Sequence, residues 1–104
     1  KDNFTMGHYD WSLFLWHLTL EKTLKGIIVK KDALPPPIHD LEKLAKHAQI
    51  DLPERYRDAL KEITTYNIEA RYDDYKRRFY QKATKTYTTK WTTLCEEIYL
   101  WLIL

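Results

Sequence analysis

The chain has 104 residues, enough for one hydrophobic core and too few for two. Apolar residues make up 44% and charged residues 31%, which excludes disorder driven by charge excess and leaves ample material for a core. Two glycines and four prolines, three of them in one run, cannot supply the frequent turns of an all-β domain, and a formal charge of +2 sets no strong overall field.

The opening stretch KDNFTMGHYDW carries no apolar run behind its lysine, so no signal peptide is expected. LFLW and IYLWLIL are far shorter than the roughly 20 apolar residues that span a bilayer, and a soluble, cytoplasmic protein with no membrane partner is expected. Cys95 is the one cysteine, so there is no internal disulfide and no multi-thiolate metal site; its place in an apolar stripe reads as packing.

From Asp10 to about Lys30 the spacing predicts a helix with Asp10 as its N-cap. Leu13, Trp16, Leu20, Leu24 and Ile27 define one face, and Phe14 and Leu18 widen it, so the first half is apolar on most sides and belongs at the centre of the domain or in a subunit interface. KDALPPPI follows as a stiff, extended connector, because successive prolines lack amide protons and restrain the residues before them. HDLEKLAKHA restarts a short helix with Leu41, Leu44 and Ala45 inward. The next helix starts in IDLPERYRDALKEITTY, with Asp51 as cap, Pro53 in the first turn, and Tyr56, Leu60 and Ile63 buried. Phe79, Ala83, Tyr87, Trp91, Leu94, Ile98 and Trp101 then step by three or four throughout, which predicts one continuous last helix of roughly six or more turns. The expected fold is all-α, an up-and-down bundle of about four to five helices in a single domain over 1–104.

Charge is unevenly distributed along this framework. Residues 71–90 hold seven basic side chains against Asp73 and Asp74, a local +5 that leaves about −3 for the rest. The candidate binding residues are Arg71, Tyr72, Tyr75, Lys76, Arg77, Arg78 and Lys82, since cations can meet phosphates while aromatic rings stack bases. The competing reading is a solvated helix face whose aromatic members point into the core. Lys76, Arg77 and Arg78, placed at the start of the last helix, would oppose its dipole and so favour an anionic partner.

Four histidines are available for acid–base or metal chemistry. His39 and His47 lie eight apart, which does not place two ligands on one helical turn, and no metal site or cofactor is expected. His39 reads as a residue that hydrogen-bonds the loop or caps a helix. His17, Glu21 and Lys25 line up four apart on one stripe, a polar network in an interface if the stripe faces a second subunit or Arg71. No nucleophile elbow, phosphate loop, cysteine–histidine pair or zinc fingerprint occurs, so no catalytic residue is assigned.

Three pieces, LFLWHLTLEKTLKGIIV, PPPIHDLEKLA and YNIEARYDDYKRRFYQKAT, together resemble the HEPN family, small helical domains of prokaryotes often encoded beside a minimal nucleotidyltransferase. The first resembles the helix bearing a Glu-Lys pair, here Glu21 and Lys22. The second resembles the Pro-x-x-His-x-Leu connector, here with His39 and Leu41, and the third the Ala-Arg-Tyr segment, here Ala70, Arg71 and Tyr72. The likeness runs from about Tyr9 to Leu102, and it implies one further helix ahead of Asp10 that this chain has no room for.

Many members of that family are metal-independent ribonucleases marked by an arginine, four to six intervening residues and a histidine; the imidazole moves protons while arginine stabilises the phosphorane. Counted from Arg71 the histidine would fall where Lys76, Arg77 or Arg78 stand, and none follows His47. The resemblance therefore implies the non-nuclease branch: a nucleotide-, nucleic-acid- or substrate-binding homodimer beside a nucleotidyltransferase, in a toxin–antitoxin-type module. The alternative is a ribonuclease toxin with an atypical group such as His17 in a dimer cleft.

Overall fold

The computed structural model describes residues 5–104; residues 1–4, which open the stretch searched for a signal peptide, lie outside the described part. Five helices follow in order: α1 (His8–Lys30), α2 (Leu41–His47), α3 (Glu54–Arg71), α4 (Asp73–Lys82) and α5 (Lys85–Ile103). They form a helical bundle, with no strand among the described residues. No described helix is long and apolar enough to cross a membrane.

Helix α1 touches each of the other four and is the axis of the domain. Its buried stripe is Asp10, Leu13, His17, Leu20, Glu21, Leu24 and Ile28. Trp16 and Ile27, expected on the inner face, are only partly buried, and two histidine and glutamate positions take their place. The reason is tertiary: with neighbours on several sides, the packed partners decide which turn-neighbours are covered. The helix begins at His8 behind Gly7, so Asp10 is not the cap but a fully buried first-turn residue.

Both ends of the α1–α2 segment close without glycine. Ala33 N donates to Ile28 O at 3.2 Å and Asp32 N to Val29 O at 2.9 Å, with Asp32 at φ 60°. Helix α2 repeats the pattern, Ile50 N to Ala45 O at 3.0 Å and Gln49 N to Lys46 O at 2.9 Å, with Gln49 at φ 59°. Each is a Schellman closure whose left-handed residue carries a side chain. The intervening connector ends on Asp40, whose Oδ1 accepts from Lys43 N at 3.1 Å and caps α2. The next cap differs from expectation: α3 starts directly behind Pro53, and Asp51 makes no cap.

The expected continuous last helix is broken in two. Ala83 turns the chain out of helical geometry at ψ 62°, and the Thr84 hydroxyl accepts from Tyr87 N at 3.1 Å to start α5 afresh. A side-chain cap competes with the backbone ladder here and wins. Lys76, Arg77 and Arg78 consequently lie in the middle of α4, not at the start of the last helix. Asp73 and Asp74 occupy the first turn of α4, where acidic charge suits the dipole, so the expected opposition to the dipole does not arise. In α5 the buried residues are Thr88, Cys95 and Ile98, whereas Trp91 and Leu94 are partly covered and Trp101 is exposed. Burial pushes the Cys95 thiol up to about 12, so it is inert packing.

Relieving the left-handed strain at one closure tests this description. Gln49→Gly should stabilise the protein by about 0.5–1 kcal/mol in chemical denaturation, because only glycine reaches that geometry without a steric cost.

Candidate functional site

Two clusters of polar side chains emerge, one at the α3–α4 junction and one between α1 and the connector. At the junction α3 ends on Arg71, Tyr72 bridges in extended geometry, and α4 turns back along α3. Phe79 is the one buried residue of α4 and stacks on Tyr66 with ring centroids 5.4 Å apart. Tyr80 covers the start of α1, where a Cβ added to Gly7 would lie 2.9 Å from its ring; only glycine allows that approach.

The seven binding candidates divide by position. Lys82 faces inward: its Nζ donates to Glu69 at 2.7 Å and Glu62 at 3.2 Å and lies within 5.7 Å of the ring centroids of Tyr66, Phe79 and Tyr87. Glu62 also accepts from the Tyr87 hydroxyl, which is 2.8 Å from that of Tyr66. Burial raises both phenols far above the ordinary tyrosine range, so both stay neutral. The Lys82 charge is thus neutralised inside the fold. Lys76 pairs with Asp73 at 3.4 Å. Arg71, Arg77 and Arg78 are exposed, as are Tyr72 and Tyr75, and Arg78 lies 5.3 Å from the Tyr75 ring centroid. Beside them a groove of about 660 Å³ is lined by Thr5, Met6, Gly7, Trp11, Ala70, Asp73 and Lys76.

The second cluster joins His17, Glu21 and Lys25 to a partner absent from the sequence reading of that stripe. Glu21, with 4% of its side chain exposed, accepts at Oε2 from Lys25 Nζ and from His39 Nδ1, each at 2.9 Å. His17 is fully buried and its Nε2 donates to the His39 carbonyl at 3.1 Å. Its bare Nδ1 and Glu21 Oε1 have no hydrogen-bond partner and stand 3.8 Å apart. The stripe meets neither Arg71 nor, among the described residues, any other basic group from the α3–α4 junction. The signal for His39 lay in the Pro-x-x-His-x-Leu connector, but eighteen residues of sequence separation hid its pairing with Glu21.

Electrostatics shift the two buried ionisable groups of this cluster, Glu21 and His17. Burial alone would raise the Glu21 carboxyl, but the hydrogen bonds from Lys25 and His39 outweigh it and hold the group below its ordinary value. Burial lowers His17 and keeps it neutral, against a smaller opposing effect of its bond to the His39 carbonyl. Burial shifts the Asp10 carboxyl the other way, above its ordinary value, against the lowering effect of backbone hydrogen bonds. Among the described residues no group of three or more His, Cys, Asp or Glu could hold a metal ion.

A family model, described as HEPN domain, matches residues 1–103. No curated protein and no solved structure matches the chain.

The sign of the pH dependence follows from the two lowered groups. The Glu21 contribution is complete above the ordinary carboxyl value of 4.5 and is lost as pH falls through its lower folded value; His17 costs stability once pH falls below 6.5. Thermal stability should therefore decline on acidification, through His17 below 6.5 and through Glu21 only below 4.5, partly offset by Asp10, whose raised carboxyl favours the folded state as it protonates. Glu21→Gln should lower stability at neutral pH by about 1–3 kcal/mol and remove only the part of the decline that lies below 4.5, as read by thermal melts.

Proposed function

The chain belongs to the HEPN domain family, and on that premise we propose that it is a nucleotide- or nucleic-acid-binding module, homodimeric, that works beside a minimal nucleotidyltransferase and does not itself cleave its ligand. The observation that carries this reading is the surface at the α3–α4 junction, where Arg71, Arg77 and Arg78 are exposed together with Tyr72 and Tyr75. Guanidinium groups suit phosphate oxygens and exposed rings suit unpaired bases. The adjoining groove, with Trp11 half exposed at its edge, offers room for a base or a short stretch of strand.

Two observations weigh against cleavage. Lys76, Arg77 and Arg78 stand where a nuclease of the family would place its histidine. His17, the alternative acid–base group, is fully buried with its Nε2 already donated, so no substrate hydroxyl reaches it. The one free cysteine, buried Cys95, fits a cytoplasmic setting.

Binding is tested by fluorescence anisotropy of a labelled single-stranded oligonucleotide across salt concentrations. The wild type should bind with a negative slope of log affinity against log salt, and each of Arg71→Ala, Arg77→Ala and Arg78→Ala that removes a phosphate contact should reduce the slope by about 0.7. Affinity unchanged in all three variants counts against the junction as the ligand site. Release of RNA fragments by the wild type, lost on His17→Ala, would restore the nuclease reading.

The homodimer face is assigned to the outer side of α1, where Trp11 and Leu15 are 50% and 44% exposed around a hollow of about 310 Å³ also lined by His8, Ser12, Trp16 and Thr19. Sedimentation velocity at micromolar concentration should give a dimer for the wild type and a monomer for Leu15→Lys, whose charge would be desolvated in the interface. A monomeric wild type rejects the assignment.

A further inference from the structure

His39 stands apart from the other described histidines. His17 is sealed in the core, whereas His8 and His47 are exposed and have no hydrogen bond to a carboxylate. His39 is both fixed and accessible: its Nδ1 meets Glu21 Oε2 at 2.9 Å while 47% of its side chain is open to solvent. Its backbone is pinned by His17 at the carbonyl, and the Asp40 side chain caps α2 immediately behind it. The ring therefore has little freedom to turn.

A carboxylate on Nδ1 sets the tautomer. With Glu21 ionised, Nδ1 carries the proton and donates it, which leaves the lone pair on Nε2, at the ring edge away from the buried acid. Among the described residues Nε2 has no partner of its own. Lys25 donates to the same Glu21 oxygen, so the carboxylate that holds the ring is itself fixed from its own helix. An oriented imidazole with one nitrogen held by a buried carboxylate and the other presented to solvent is the arrangement of an activated nitrogen nucleophile.

We propose that His39 is a phosphoryl-acceptor site, taking a phosphoryl group at Nε2 from an activated phosphoryl donor while Glu21 holds the ring by its Nδ1 proton. The Nε2 lone pair forms the new N–P bond as the bond from phosphorus to the leaving group breaks, and the leaving group departs with that electron pair and takes a proton from water. The ring becomes an imidazolium with its proton still at Nδ1, paired with the Glu21 carboxylate, so its new positive charge is compensated at once. No oxidant, metal or second protein group is required. The site is independent of the ligand surface proposed above: Glu21 is ten residues beyond Trp11 on α1, about 15 Å along the helix axis.

The test uses the full chain and phosphoramidate as the donor, in which ammonia is the leaving group, with phosphohistidine followed by mass spectrometry of peptides kept at alkaline pH. His39 should be modified about 10-fold or more faster than His47 on the same molecules, a comparison internal to folded wild type. His39→Gln should abolish the fast phase and leave the slow reaction at His47. Glu21→Gln should slow His39 about 10-fold and leave His47 unchanged. Equal rates at His39 and His47 in the wild type would overturn the proposal and leave the Glu21–His39 contact as a fastening of the connector alone. So would a His39 rate unaffected by Glu21→Gln. Neither result bears on oligonucleotide binding, and loss of oligonucleotide binding leaves this reaction untouched.

Discussion

A carboxylate buried in the middle of the central helix places the strongest single constraint on this bundle. Glu21 lies on the α1 stripe that faces the core, and an ion taken out of water there needs compensating partners, both of which here meet Oε2. Lys25 supplies one from the same helix, one turn on. His39 supplies the other from the far end of the proline connector, so the requirement to satisfy one oxygen fixes where that connector lies. His17 adds a third tie by donating to the His39 carbonyl, and α2 then starts at a defined place with Asp40 as its cap. Leu41, the first residue of α2, donates its amide to the Thr64 hydroxyl of α3 at 3.1 Å, which carries the same registration on to the next helix.

A comparable device with the charges reversed holds α4. Lys82, with 30% of its side chain exposed, is a cation paired with Glu62 and Glu69 beside three aromatic rings, and with the buried Phe79 it fastens α4 against α3. Since α4 has a single buried side chain, its hold on the bundle depends on that ring and that ammonium far more than on a continuous apolar face. The arrangement separates the basic residues of the segment by role. Lys82 works within the fold, Lys76 is paired locally with Asp73, and the three arginines are exposed. A count of charges along the chain does not reveal that division, because all seven basic residues look alike until α4 is placed.

Much of the architecture was legible in the residues. The scarcity of glycine and the three-and-four spacing led to the right class and to buried positions at Leu13, Leu20 and Leu24, at Leu41 and Leu44, and at Tyr56, Leu60 and Ile63, whereas Trp16 and Ile27 of the α1 row proved only partly buried. The buried positions are read correctly because hydrophobic burial follows helical period wherever one side of a helix meets water. The same rule failed between Phe79 and Tyr87, where both sides of the Ala83–Thr84 break keep the period and the row runs through it. The Thr84 hydroxyl was the local sign of a new start, but threonine is frequent in that stretch and its neighbours carry no comparable cap.

The sequence by itself determined the helical class and the non-helical proline link between α1 and α2, since composition, spacing and proline chemistry act within a few residues of one another. It also placed His17, Glu21 and Lys25 on one stripe of one helix, because four residues make roughly one turn. Only the tertiary structure decided that the stripe faces inward, that His39 completes it, and that Lys82 is turned into a box of rings and carboxylates while Arg71 and Arg78 are left outside. Those outcomes depend on which groups from distant parts of the chain must share a low-dielectric space, where an unpartnered charge is too costly to keep, and no local pattern encodes that meeting.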